Sequence, residues 1–111
     1  MIVTFRTKKL AKACNSEAEM LRHFGQQRAT KLGNRLLELK AATNLNDISR
    51  LPPARCHELT GSRKGQLSLD LGHPYRLIII PANEPVPRKA DGGLDWGRVT
   101  QVEVIEIADT H

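Results

Sequence analysis

Two consecutive prolines at positions 52 and 53 separate two unlike halves of this 111-residue chain. No helix runs through them, because proline lacks the amide donor and its ring clashes with a preceding helical residue. Before them the apolar residues Ala29, Leu32, Leu36 and Leu39 recur at steps of three and four. That spacing places one stripe along a helix whose other faces carry Arg28, Lys31, Arg35, Glu38 and Lys40. After them Gln66-Leu67-Ser68-Leu69-Asp70-Leu71 alternates strictly. The spacing predicts a strand with the leucines facing the helices and Gln66, Ser68 and Asp70 facing outward, so that one sheet face is polar and available.

The remaining elements follow from local signals. Ile2, Val3 and Phe5 form a β-prone run, and Asn44 to Leu51 reads as a short helical turn that the prolines end. Ser16-x-x-Glu19 is a capping-box pattern for a helix start, and Gly25 ends or breaks that helix. The first half is therefore a helical hairpin or one long interrupted helix. Tyr75 to Ile80 and Val99 to Ala108 are apolar on both faces, which predicts central strands. Between them, positions 81–97 hold three prolines and three glycines, and read as a long irregular surface insertion rather than a binding element.

Length and composition allow one domain, residues 1–111, with a core that needs no metal or disulfide. The start lacks the apolar run of a signal peptide, and no later run suffices to cross a bilayer, so a soluble, cytoplasmic protein without membrane contact is expected. Cys14 and Cys56 lack metal-site or redox spacing and read as small buried hydrophobes. Lys and Arg outnumber Asp and Glu by 17 to 12, a formal charge of +5, which favours a polyanionic partner.

The densest polar constellation runs from Arg55 to Arg76 and contains His57, Arg63, Lys64, Ser68, Asp70, His73 and Tyr75. If His57–Leu59 pairs with positions 66–71 as a hairpin, cations and imidazoles gather on one surface. RNA cleavage without a metal needs that combination: a base for the ribose 2′-hydroxyl, cations for the phosphorane, and an acid for the leaving oxygen. Histidine, with an unperturbed pKa of about 6.5, serves as either base or acid, and arginine offers a fork matched to phosphate oxygens. Tyr75 and Trp96 are candidates to stack on bases. Nucleotide-hydrolysis and zinc motifs are missing, so neither metal nor cofactor is expected.

Several blocks in order resemble a known family: Ile2-x-x-Phe5-x-x-Lys8-Lys9-Leu10, the run from Leu51 to Gly65 containing Arg55-x-His57-Glu-Leu-x-Gly61-x-Arg63, Ser68, Pro74-Tyr75-Arg76-Leu77, and Ile105-Glu-Ile-x-Asp109-x-His111. They are similar to the plasmid-maintenance killer proteins of the HigB branch of the RelE/ParE toxin superfamily. The resemblance implies an α+β fold, two N-terminal helices packed on one face of a twisted, mainly antiparallel sheet. It implies a type II toxin that cleaves mRNA on the ribosome and is held in check by a cognate helix-turn-helix antitoxin of the HigA kind. By position, His57 and His111 become candidates for proton transfer, Arg76 for the transition-state phosphate and Asp109 for orienting His111. Arg63 and Lys64 would hold RNA backbone, with Tyr75 and His73 as further RNA contacts.

Departures from the family pattern accompany the match. Thr110 stands where the family ending has tyrosine, Leu71-Gly72-His73 replaces a further arginine found in some relatives, and the 81–97 insertion is long. Two other readings of the scaffold therefore stand beside the nuclease: a non-enzymatic, ParE-like inhibitor of DNA gyrase, and a decayed toxin that only binds its antitoxin.

Overall fold

The structure, a computed structural model, describes residues 1–109. Strand β1 (Ile2–Phe5) leads into α1 (Lys8–Cys14) and α2 (Glu17–Ala41), then a 3-10 turn at Leu45–Asp47. After the prolines come β2 (His57–Glu58), β3 (Leu67–Asp70), β4 (Tyr75–Pro81) and β5 (Gln101–Asp109). The five strands form one sheet in the order β1-β5-β4-β3-β2. β1 is parallel to β5 and every other pairing is antiparallel. The expected α+β class, mainly antiparallel sheet and central placement of β4 and β5 all hold.

The helix starts as read, but only the serine half of the capping box forms. Ser16 Oγ accepts from the Glu19 amide at 3.1 Å, satisfying one orphan donor of the helix start. The Glu19 carboxylate turns instead to Arg22 at 3.0 Å and His23 at 3.3 Å. Gly25 breaks α2 at φ 78°, ψ 168°, a conformation open to a residue without Cβ. Beyond the break Ala29, Leu32, Leu36 and Leu39 are all buried. They join Leu67, Leu69, Leu71, Leu77, Ile79, Val102 and Val104 in one hydrophobic cluster, so the helices cover one face of the sheet.

On β5 the register shifts, Ile78 facing Glu106 while Ile79 faces Val104. This bulge reconciles an odd spacing, since Val104 and Ile107 both pack on the core side although strict alternation would separate them.

Three sequence expectations are corrected here. Arg35, assigned to a solvent face, is 3% exposed; its aliphatic stem is long enough to lie among apolar neighbours, while its guanidinium pairs with Glu38 at 2.8 Å. Ser68 does point away from the helices, but at 1% exposure it is not an available polar group. The 81–97 segment is no loosely attached insertion: Leu94, Trp96 and the following Val99 are buried in the core cluster. Asn83 Oδ1 accepts from the amides of Thr100 and Gln101, tying the start of the segment to its end.

Both cysteines are buried as expected, and burial pushes the Cys14 thiol up to about 11 and the Cys56 thiol up to about 12. The folded chain should therefore resist a thiol-alkylating reagent at about pH 8 and react fully once denatured, because only the thiolate is nucleophilic. The folded thiols hold their protons above the ordinary value of 9.0, where an unfolded chain releases them, so this contribution to stability falls as pH rises past about 9. Rapid labelling of native protein would contradict the burial.

Candidate functional site: the open face of the sheet

Register determines which side chains share the face turned away from the helices. His57 pairs with Ser68, Ser68 with Ile78, and Ile78 with Glu106, giving one row across four strands. The next row is Asp70, Arg76 and Ala108. With strands spaced about 4.8 Å apart and rising about 3.4 Å per residue, the Cα atoms of His57 and Arg76 lie roughly 12 Å apart. Two extended side chains reaching inward can therefore meet one nucleotide.

Local structure sets the histidine's tautomer. His57 Nδ1 lies 2.8 Å from the Arg55 carbonyl oxygen. A carbonyl only accepts, so Nδ1 carries the proton and, in the neutral ring, Nε2 presents its lone pair as a proton acceptor. The side chain is exposed at the sheet edge. Arg55 itself holds φ 49°, the one left-handed non-glycine residue among those described. Its neighbours Ala54 and Cys56 are buried, and their backbones bond Asp70 at 2.8 Å and Ser49 at 3.0 Å, which fixes the turn that aims its carbonyl.

The arginines of this face are not open charges. Arg76 Nη1 donates to Asp70 Oδ1 at 2.5 Å, and Arg55 Nε lies 3.6 Å from Asp70 Oδ2. Arg63, in the 3-10 turn Gly61–Arg63, donates to Glu106 at 3.0 Å and to Gln66 at 2.9 Å. Lys64, also assigned to RNA backbone, follows in the same turn and is exposed.

The other expected contacts lie elsewhere. Tyr75 pairs with Asp109 one position out of phase with Arg76, so alternation directs both away from the open face. Tyr75 packs on the helix-side cluster with the Arg28 guanidinium 3.7 Å above its ring. Tyr75, His73, Phe24, Arg28 and Lys31 line a separate cleft of about 500 Å³. Trp96 is 7% exposed, bonded through Nε1 to Glu58 at 3.0 Å and covered by the Arg50 guanidinium at 3.9 Å. It is not a base-stacking platform, which corrects the sequence reading. His111 lies outside the described residues. Thus His57, Arg63 and Arg76 come together, joined by Arg55 and Asp70 from the same stretch and by Glu106 from β5. The i, i+2 spacing of Arg55 and His57 was the available signal for Arg55.

A five-stranded mixed sheet of this order with the helices packed on one face has the fold of RelE/YoeB-like toxins. Two solved structures share it: a YoeB/ParE toxin from Agrobacterium tumefaciens, at TM-score 0.59 and 11% identity over 100% of both chains, and the YoeB-YefM complex from Staphylococcus aureus, at TM-score 0.56 and 11% identity over 100% of this chain and 97% of that one. No family model and no curated protein matches the sequence.

If Trp96 is a structural link, Trp96→Phe should cost about 1–2 kcal/mol by deleting the bond to Glu58. Urea unfolding would show this; unchanged stability would contradict the structural role.

Proposed function

We propose that this chain is the toxin of a type II toxin–antitoxin pair, a HigB-like, ribosome-dependent mRNA endonuclease that works in the cytoplasm as a single domain. The observation that carries the reading is the shared open face of His57 and Arg76, with the Nδ1–H of His57 committed to Arg55 so that Nε2 is left as base. The RelE-like fold supports the toxin class. The Staphylococcus aureus neighbour was solved as a complex with YefM, which supports an antitoxin partner; the sequence resemblance points to a helix-turn-helix one.

In the proposed step His57 Nε2 takes the proton of a ribose 2′-hydroxyl as its oxygen attacks the adjacent phosphorus. The bond from phosphorus to the 5′ oxygen breaks, leaving a 2′,3′-cyclic phosphate, and an acid protonates the departing oxygen. Arg76 neutralises charge on the non-bridging oxygens, which grows toward the transition state and so lowers the barrier. His111 is the candidate acid and Asp109 its orienting partner. Arg63 and Lys64 hold the flanking backbone, with His73 and Tyr75 as outer contacts on the neighbouring cleft.

Production of the chain without its partner should arrest bacterial growth and leave cuts in mRNA at the ribosomal A site. His57→Ala or Arg76→Ala should each slow cutting by about 10²–10⁴-fold, and loss of His111 should relieve the arrest. Cutting that survives all three changes removes the site assignment. Inhibited DNA supercoiling with intact mRNA would establish the gyrase-inhibitor reading instead, and a chain inert in both assays that still captures its antitoxin would be a decayed toxin.

A further inference from the structure

The Asp70 carboxylate occupies a position that a phosphate group would suit. Oδ1 receives Arg76 Nη1 at 2.5 Å and Oδ2 faces Arg55 Nε at 3.6 Å, so each oxygen meets its own guanidinium. A phosphodiester presents the same element, two anionic oxygens on one centre, and paired guanidinium groups bind it for the same reason. We propose that Arg55 and Arg76 form a clamp for one backbone phosphate of single-stranded RNA, and that Asp70 masks this clamp as an internal phosphate mimic which the RNA displaces. The proposal rests on the nuclease reading for its choice of RNA, and adds Arg55 and Asp70 to the site.

Three features favour displacement over a permanent ion pair. The Arg55 arm is held at ion-pair rather than hydrogen-bond distance, and its side chain is 57% exposed against 23% for Arg76. It can therefore turn to an incoming oxygen without breaking a hydrogen bond to Asp70. The Asp70 backbone is fixed independently, its amide donating to the Ala54 carbonyl at 2.8 Å, so the strand does not depend on the carboxylate. The same turn that holds Arg55 in its left-handed conformation also aims its carbonyl at His57 Nδ1. A phosphate drawn to Arg55 thus arrives beside the imidazole.

The masking carboxylate gives Asp70→Asn an unusual expected sign. Asparagine keeps the shape and one acceptor oxygen but removes the charge, so the clamp gains net positive potential. The probe is a ten-nucleotide single-stranded RNA with 2′-O-methyl riboses, which cannot be cleaved through the 2′ oxygen, titrated against the full chain by fluorescence anisotropy across salt concentrations. Asp70→Asn should tighten binding about three- to tenfold at low salt. It should also steepen the dependence of log affinity on log salt by about 0.7, the value for one further neutralised phosphate on a single strand. Arg55→Ala should weaken binding, and Arg55→Ala added to Asp70→Asn should abolish the gain. Glu103→Gln removes an equal charge from the same face, where Glu103 pairs with Arg6 at 3.3 Å, and should give the smaller effect.

Weaker binding by Asp70→Asn, with the melting temperature of the parent, would overturn the proposal by making Asp70 an organiser of Arg76. Equal gains from Asp70→Asn and Glu103→Gln would overturn it too, as net charge alone would then suffice. So would a gain confined to a polyglutamate peptide, since carboxylate would then be the preferred ligand. If Asp70→Asn melts early, Asp70→Ser supplies the same comparison. Ribosomal cleavage is scored separately: a chain that cuts no mRNA but keeps the Asp70→Asn gain loses the nuclease reading and retains the clamp. A chain that cuts normally but shows no gain loses the clamp alone.

Discussion

The register of β3 against β4 is the constraint on which the site depends. Leu67, Leu69 and Leu71 are all buried on the helix side, and a slip of one residue would present them to the open face while turning Ser68 and Asp70 inward. Exposing three leucines costs roughly 5–9 kcal/mol, comparable with the whole stability of a domain this size, about 5–15 kcal/mol. Hydrophobic burial thereby fixes a polar arrangement. With the leucines seated, Ser68 and Asp70 are held to the opposite face, and in the register adopted Asp70 stands across from Arg76 and Ser68 across from His57.

Elements governed by short-range rules were legible in the sequence. The Ser16 cap, the break at Gly25, the leucine stripe of α2 and the alternation of β3 each depend on residues within four positions, and each is found where expected. What periodicity reports is the direction of a side chain, and direction differs from exposure. Ser68 points outward yet is covered, and Arg35 lies off the apolar stripe yet is buried with Glu38 beside it. Trp96 misled for a related reason. An indole in a proline- and glycine-rich stretch looks exposed, and its partners Glu58 and Arg50 lie 38 and 46 positions away, beyond any local rule.

The candidate site was legible in its residue types and less so in its pairing. His57, Arg63 and Arg76 were marked by the blocks they stand in, and the sheet brings them to one face. The Arg63 to Glu106 contact spans 43 positions, and its existence follows only from which strands become neighbours. The bulge on β5 matters here: by resetting alternation after Val104 it places Glu106, rather than an apolar residue, opposite Ile78. Without it Ile105 would stand opposite Ile78 and Glu106 would turn toward the helix side. Tyr75 shows the converse case, since adjacency to Arg76 in sequence guarantees that a strand sends the two to opposite faces.

A formal charge of +5 suggests a plain cationic surface, but the open face is closer to balanced, because Asp70 and Glu106 each engage an arginine there. The two pairs differ in exposure, Asp70 and Arg76 being 18% and 23% exposed and Arg63 and Glu106 35% and 45%. A partly exposed pair such as Arg63 with Glu106 contributes about 0–1 kcal/mol, and an arginine–phosphate contact at the same surface replaces it at similar strength. A polyanion would gain by engaging several of these arginines at once and by releasing its own counterions. A lone small anion, offering a single exchange, gains little. Under the proposed reading, internal acids of this kind would favour an extended phosphate backbone, which engages several arginines at once, over free phosphate or an isolated acidic side chain.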